Sequence, residues 1–573
     1  MFLSRRLVFL AVCFAAALAA QPVVLEGGAV NVASFVPARF PNYGLAQGSL
    51  FTVFGQRLGP NQIAFVQGFP VPAALAGSSI KVTVGNTTVD CLMVFSVAGQ
   101  LAAILPSNTP IGAGTLRVTF NAQTSNSIAI RVVAHDPGIL TISQNGLGPA
   151  VVTDPFTFTP NTVVNSFAPG DPAVLWVTGL GARAQDATPQ VQDLQGPLDL
   201  TLRIGSKVIT NFIYAGPAPT NAGLDQVNFF IPEDIEEGCA VSLVLQVGQA
   251  VSNFARISIS SNDKVCDDDP LAFTRAEIKR QQTDNTLRTA LALFDTNFAN
   301  AAVITPNPAI DLPGAHDTRT ETITARLFDA PFNVANPVVG LAPGSCLVAN
   351  QIYTNPAPPA ATNPLPTSIT PSAFARNPSN IMLTLPGNLV LTDNNTAQSA
   401  AALTFVEGQE WSVDFALVNS ALMRTDEAHV SHVLRMNPEP FAAWNPSAAE
   451  AKFIGVLRGD PIVQDVTITD LPATAENIVL GSFLIQNPFW RTTITCSSRG
   501  GGPVVFPRHT FHSINCGPQS RCNGAANLLI VPSSPGSVGM TVGTPNSIGK
   551  VNGYDRVMIF FGFTLPATLE PAK

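Results

Sequence analysis

Charge is scarce in this chain of 573 residues: Asp, Glu, Lys and Arg together make up 12%, about half the share usual in globular proteins. Coiled coils and charge-laced helical bundles are disfavoured by that scarcity. Basic residues are the rarer sign, 30 against 38 acidic ones, for a formal charge of −8. A nucleic-acid partner is therefore not expected, because binding there rests on clustered Lys and Arg that neutralise phosphates. Long apolar runs are missing after the first twenty residues, so no membrane span is expected in the processed chain. Gly-x-Ser-x-Gly elbows, His-Glu-x-x-His pairs and P-loops are absent too, and the sequence assigns no catalytic residue, no cofactor and no metal.

What is present is apolar and rich in turn formers. Hydrophobic residues make up 46%, mean hydropathy is +0.26, and there are 48 Pro and 43 Gly. Such a chain can fill several cores, and its length sets an expectation of roughly four domains. At the N-terminus Arg5 and Arg6 precede an apolar stretch from Leu7 to Ala16, and Ala17-Leu18-Ala19 supplies small residues for cleavage. Residues 1–19 read as a secretory signal peptide, and the product is expected to be secreted or held at the cell surface, the periplasm included. Of eight cysteines, Cys91, Cys239, Cys266, Cys346, Cys496, Cys516 and Cys522 survive that cleavage. Export permits disulfides, and an odd count leaves at least one thiol unpaired. Cys516 and Cys522 are the candidate pair, with Cys266 and Cys346 available to the others.

Short segments of alternating polarity recur: Ile80 to Val84, Leu116 to Phe120, Leu198 to Ile204, Val241 to Val247 and Ala255 to Ile259. Period-two alternation buries one face and wets the other, and turn residues about every ten positions suit antiparallel sandwiches. An internal repeat underlies them. Gly48 and Leu58-Gly59 return as Gly170 and Leu180-Gly181; Gln100-Leu101 through Leu105-Pro106 return as Gln226-Val227 through Ile231-Pro232; Gly112 returns as Gly238 and Ser125-Asn126 as Ser252-Asn253. The offset drifts slowly, as loop insertions between equivalent strands produce. Gly85 and Gly205 are expected in equivalent turns, with Pro106 and Pro232 at equivalent strand ends.

At these residues the chain resembles secreted β-sandwich modules of the IPT/TIG immunoglobulin-like type, and within them the uncharacterised repeat domain of exported proteins of soil Acidobacteria such as Solibacter. The stretches that carry the likeness include Gly146 to Ala150, Asn165 to Gly170, Thr178 to Gly181, Tyr214-Ala215-Gly216, Gln226-Val227-Asn228 and Ile231-Pro232, with Pro70-Val71-Pro72, Gly77 and Val82 to Gly85 in the first copy. The resemblance implies tandem sandwiches and says little of activity. Ala102 stands where the pattern has Asn, which favours a turn or strand-edge role for the Gln/Asn pair over a ligand role.

The expected organisation is all-β: a signal peptide (1–19), a lead (20–39), immunoglobulin-like modules at 40–137 and 138–262, an acidic and helical linker (263–299), and a further β-rich domain (300–573). Thr274 with Glu277 makes a capping box, and Ile278, Leu287, Leu291 and Phe294 suggest a helix to about residue 298. Beyond it Glu321 to Phe328, Ile381 to Leu385, Trp411 to Phe415, Val466 to Thr469, Val479 to Ile485 and Val557 to Phe563 read as strands, interrupted by a Pro-rich tract from Asn355 to Pro378.

Several constellations have a functional and an ordinary reading. His429 with His432, and His509 with His512 near Cys496, Cys516 and Cys522, have residue types that bind zinc, but on a strand residues three apart face opposite ways. Asp263 and Asp267 to Asp269 lack calcium-loop spacing and read as a solvated linker. Ser78 and Lys81 match Ser-x-x-Lys in letters, off any helix. His135-Asp136 and His316-Asp317 would need a nucleophile brought to them in space. Trp176, Trp411, Trp444 and Trp490 read mostly as core, with sugar stacking as the other role. The expected function is an exported, non-enzymatic modular β-protein for surface interaction, adhesion or scaffolding, its partner a polysaccharide or another surface protein. The alternative is a secreted polysaccharide-acting enzyme with its carboxylates in the C-terminal half.

Overall fold

The computed structural model describes residues 21–38, 40, 42–266, 275–284, 289–298, 302–304, 321–329, 341–352, 380–385, 389–393, 397–398, 411–416, 431–436, 465–468, 478–487, 490–499, 503–514, 536–548 and 556–569. The expected signal peptide, Cys516, Cys522, Asp267 to Asp269, His316-Asp317, His429, Trp444 and the Pro-rich tract lie outside the described residues.

The chain is all-β, two immunoglobulin-like sandwiches in tandem followed by a further β-rich region. In the first module strands β1 (Val23–Asn31), β2 (Leu45–Ala46), β3 (Leu50–Gln56), β4 (Ala64–Phe65), β5 (Ala74–Leu75), β6 (Ser78–Val84), β7 (Thr87–Asp90), β8 (Leu92–Val97), β9 (Gln100–Ile104), β10 (Gly112–Phe120), β11 (Gln123–Thr124) and β12 (Ile128–Val133) form two sheets. One runs β1-β3-β9-β8-β4; the other runs β2-β12-β10-β6-β5, with β7 on β6 and β11 on β10. Alternation decides the inner face: Phe51, Val53 and Leu101 pack against Ile80, Val82, Leu116 and Val118, all fully buried. Pairing is antiparallel except for β2, which runs parallel to β12.

The second module repeats this plan in β13 (Gly138–Ile139), β14 (Val152–Thr153), β15 (Pro172–Thr178), β16 (Leu200–Ile204), β17 (Lys207–Ile209), β18 (Tyr214–Pro217), β19 (Asp225–Phe230), β20 (Gly238–Val247), β21 (Ala250–Val251) and β22 (Ala255–Ile259). β13-β15-β19-β18 faces β17-β16-β20, with β21 and β22 both on β20. Equivalent letters do equivalent work. Gly85 and Gly205, at φ +56° and +54°, close the two-residue β6–β7 and β16–β17 hairpins, where a side chain would be strained. Gln100 is the first residue of β9 and Gln226 the second of the equivalent strand β19, and Pro106 and Pro232 follow those strands. Ser125 Oγ accepts from Val118 N at 3.0 Å, while Asn126 exchanges two bonds with the backbone of Val24, at 2.9 and 3.0 Å. Ser252 Oγ accepts from Leu245 N at 2.9 Å, while Asn253 makes the same exchange with Ile139, at 2.8 and 3.0 Å.

Two boundaries differ from expectation. The lead at 20–39 is not a lead, because β1 pairs with β3 and Val24 takes in the first module the place of Ile139 in the second. The helical connector is shorter: helix α1 spans Arg275–Asp284, and Thr289–Phe298 is a strand between Glu321–Asp329 and Arg556–Leu569, antiparallel to the first and parallel to the second. No helix among the described residues is long and apolar enough to cross a membrane.

The outer face of β20 and β22 is buried instead of wet, since Ser242, Arg256 and Ser258 are covered. The segment from residue 341 lies across β20, whereas on β22 Ser258 is covered by Asn161 and Ser166 of the same module. Ala342 N donates to the Ala240 carbonyl, beside a bulge in β20, while Ser242 N donates to Ser345 Oγ and Cys346 N to Ser242 Oγ, at 3.0 and 3.1 Å. Disulfides Cys239–Cys266 and Cys346–Cys496 flank this contact, and Cys91 is a buried free thiol.

Candidate functional site

Only residues 134–137 separate the last strand of the first module from the first strand of the second, and they are held from both sides. Asn31 Nδ2 donates to the Asp136 carbonyl at 2.8 Å and to its carboxylate at 3.1 Å, while Asn31 Oδ1 accepts from the amides of Ala33 and Ser34. Asp136 N donates to the Gly179 carbonyl at 3.0 Å, and His135 Nδ1 donates to the Leu180 carbonyl at 2.6 Å. Gly179 is required here: its φ is +89°, and a Cβ would stand 2.0 Å from the Asp136 carbonyl oxygen. Burial pushes the Asp136 carboxyl up to about 7, against the opposing pull of the Asn31 hydrogen bond and the Arg131 guanidinium.

A second set of contacts completes the seam. Arg183 and Asp225 form an ion pair at 2.9 Å with both side chains almost fully buried; burial raises the Asp225 carboxyl while Arg183 opposes it. The Arg183 amide donates to Ser107 Oγ of the first module, whose hydroxyl and amide both donate to Asp186, at 2.7 and 2.8 Å. Leu50 N donates to Thr178 Oγ1 at 2.9 Å and Val71 N to the Ala187 carbonyl at 2.8 Å. His135-Asp136 is thus part of a module joint.

Each module also carries an aromatic and amide strip on the outward face of its first sheet. In the first, direct pairing puts Phe54 beside Gln100 and lines up Thr52, Ala102, Phe95 and Phe65, opposite the core residues Phe51, Val53 and Leu101. The Phe65 and Phe95 rings lie 6.0 Å apart, Phe35 lies 6.4 Å from Phe54, and Gln100 Nε2 donates to Thr52 Oγ1. In the second, Trp176 takes the place of Phe54, Gln226 that of Gln100, Asn228 that of Ala102 and Tyr214 that of Phe95. Trp176 Nε1 donates to Thr153 Oγ1, Gln226 Nε2 to Asn228 Oδ1 and Tyr214 Oη to the Pro217 carbonyl, which fix the rings and amides at half-buried positions. Trp176 is therefore not core filling, and Gln100, on the central strand of its sheet, directly follows the two-residue Ala98-Gly99 turn, the turn-flanking place expected for it. Tyr214, Gln226 and Asn228 stood in the sequence only within the stretches that carry the repeat or the family likeness, and Phe95 gave no signal, since only strand pairing brings these residues alongside.

The remaining candidates fall elsewhere. Arg508–Ile514 is a 3-10 helix, so His509 and His512 share a face, and both rings stack on Phe254 of the second module at 5.8 and 6.2 Å. His512 Nδ1 donates to the His509 carbonyl at 2.8 Å, leaving Nε2 to accept from Asn42 Nδ2 of the first module at 3.2 Å. Cys496 is in a disulfide, so it is no thiolate ligand beside them. Burial, with the nearby Arg203 and Arg508, pushes His509 down to about 3, and burial pushes His512 down to about 4. Among the described residues no group of three His, Cys, Asp or Glu could hold a metal ion. Ser78 is buried against the Leu58 carbonyl and Ser96 Oγ, whereas Lys81 is exposed and paired with Asp90 at 2.9 Å.

No protein-family model matches the chain, and no curated protein matches it in sequence. Solved structures similar to it include titin domains (9% identity, 73% of this chain and 94% of that one, TM-score 0.13), tandem Ig repeats of Dlar (9%, 42% and 99%, TM-score 0.13) and an SGBP-B from a complex xyloglucan utilization locus in Bacteroides uniformis (10%, 84% and 100%, TM-score 0.15). At such scores the likeness carries no argument about this chain.

Proposed function

We propose that the chain is an exported, non-enzymatic β-protein that works at the cell surface as a stiff spacer and presenter, built from modules of the IPT/TIG type and of the Solibacter-type repeat family. Its partner is a polysaccharide or another surface protein. Cys516 and Cys522, the cysteines left over by the other two bridges and buried Cys91, pair with each other. The observation that supports this reading is the module joint: a flexible tether leaves its linker amides to water, whereas here residues 135 and 136 are bonded to Gly179 and Leu180, and a buried ion pair backs the contact.

Small-angle scattering of the intact chain tests it. We expect one narrow distribution of end-to-end distances, broadened by Asn31→Ala or Gly179→Ala, and whole cells on which external protease removes the protein. A broad distribution for the unaltered chain, or retention inside the cell, overturns the reading. So does shortening of a polysaccharide by the purified protein, which favours the enzyme.

A further inference from the structure

The outward strips have chemistry of their own. Strands β3, β4, β8 and β9 contain no Asp, Glu, Lys, Arg or His, and β15, β18 and β19 contain one such residue, Asp225, which is buried against Arg183. From Leu58 to Ile80 the first module has no charged residue either, yet Ile63, Phe65 and Phe69 are about half exposed there. Phe65 and Phe69 are half exposed and Phe54, Phe95, Trp176 and Tyr214 partly exposed on strands that carry no exposed charge, and apolar surface left partly in water costs free energy and marks binding surfaces. Here the rings alternate with amide side chains: Phe54, Gln100 and Phe95 in one module, Trp176, Gln226, Asn228 and Tyr214 in the other. Flat π faces take the C–H faces of a sugar ring, and amides supply the donors and acceptors that its hydroxyls need.

We infer that the two strips are equivalent binding sites for a neutral polysaccharide. Two observations select this occupant. The strand residues of the strips carry no exposed charge, and the exposed carboxylate beside Tyr214, Asp193, is acidic, which disfavours an acidic polymer, a phosphate or an anionic membrane. They also recur at the same place in both modules, and a repeated site fits a ligand that is itself a repeat, so one chain can engage both. The inference deepens the surface-interaction reading above and rests on it.

Native-gel electrophoresis of the full chain tests it, with konjac glucomannan, hydroxyethyl cellulose or dextran cast in the gel and polygalacturonate as the charged comparator. At least one neutral polymer should retard the protein, and polygalacturonate should not. Trp176→Ala with Tyr214→Ala, or Phe54→Ala with Phe95→Ala, should each weaken retardation about tenfold, the loss typical of an aromatic anchor. All four together should abolish it. Because half-buried rings also support the fold, Gln100→Ala and Gln226→Ala serve as a second set, with unchanged thermal midpoints and weaker retardation expected. Retardation by no neutral polymer, equal retardation by polygalacturonate, or undiminished retardation in the fourfold and amide variants overturns the assignment. If the strips serve a protein instead, neutral polymers leave mobility unchanged. Scattering on the same samples keeps the two readings apart, since a chain that stays stiff but binds no polymer sinks only the sugar assignment.

Discussion

At the scale of single residues, Asp136 concentrates the chemistry of the joint. Its carboxyl is raised to about 7 from an ordinary value near 4. Between those values the folded chain holds a proton that the unfolded chain has released, so this group's contribution to stability falls as pH rises from about 4 to about 7. Asp136→Asn keeps an acceptor for Asn31 and removes the titration. We expect its thermal midpoint to exceed that of the unaltered chain above pH 7 and the difference to shrink toward pH 4, read by scanning calorimetry across that range. The Arg183–Asp225 pair behaves differently, because either member alone is an unpaired buried charge. Asp225→Ala should cost about 3–5 kcal/mol, measured by denaturant unfolding. Sequence showed His135-Asp136 as neighbours but gave no sign that their partners would be Asn31, Gly179 and Leu180, which come from segments distant in the sequence.

At the scale of elements, the matched Ser-Asn dipeptides make the repeat testable. Ser125 and Ser252 satisfy the same strand amide in each module, and Asn126 and Asn253 tie the first strand to the opposite sheet. Asn126→Ala and Asn253→Ala should each cost about 1–3 kcal/mol, since two backbone groups lose their partner in a part-buried site. Similar losses in both, by chemical denaturation, would agree with equivalence; a neutral result in one module would count against it. Periodicity made Ile80 to Val84 and Ala255 to Ile259 legible as strands, because local alternation encodes a half-buried face. It failed at β1, where the register shifts between Val24 and Ala29 and Gly27-Gly28 interrupts the alternation. It failed again at Thr289–Phe298, whose apolar spacing fits helix or strand and is settled by pairing with segments far along the chain.

At the scale of the whole molecule, tandem architecture was legible and the way its parts lock together was not. Cysteine spacing leaves connectivity open, and nothing local announces that Asn42, Phe254 and His512 meet. That meeting point has its own pH dependence, opposite in sign to that of Asp136. His509 and His512 are lowered from 6.5 to about 3 and about 4, so the stability they hold is present above pH 6.5 and is lost as pH falls through those values. Arg203 and Arg508 face the site and oppose a second charge, with Asp465 close to Arg203. Limited proteolysis should cut the C-terminal half faster at pH 4 than at pH 7, and His509→Gln with His512→Gln should flatten that difference.

For the surface spacer proposed above, held at one end and pulled at the other, the Cys346–Cys496 bridge has a mechanical meaning. It joins two directly paired strands across a sequence separation of 150 residues. Tension along the backbone enters at one sulfur and leaves at the other, so the intervening length never carries load. Fully drawn out that length would come to about 500 Å, at roughly 3.3–3.6 Å per residue. With the bridge intact it stays stored, and the tether yields only what lies outside the loop. A reducing environment would release it, turning a short, stiff attachment into a long and compliant one.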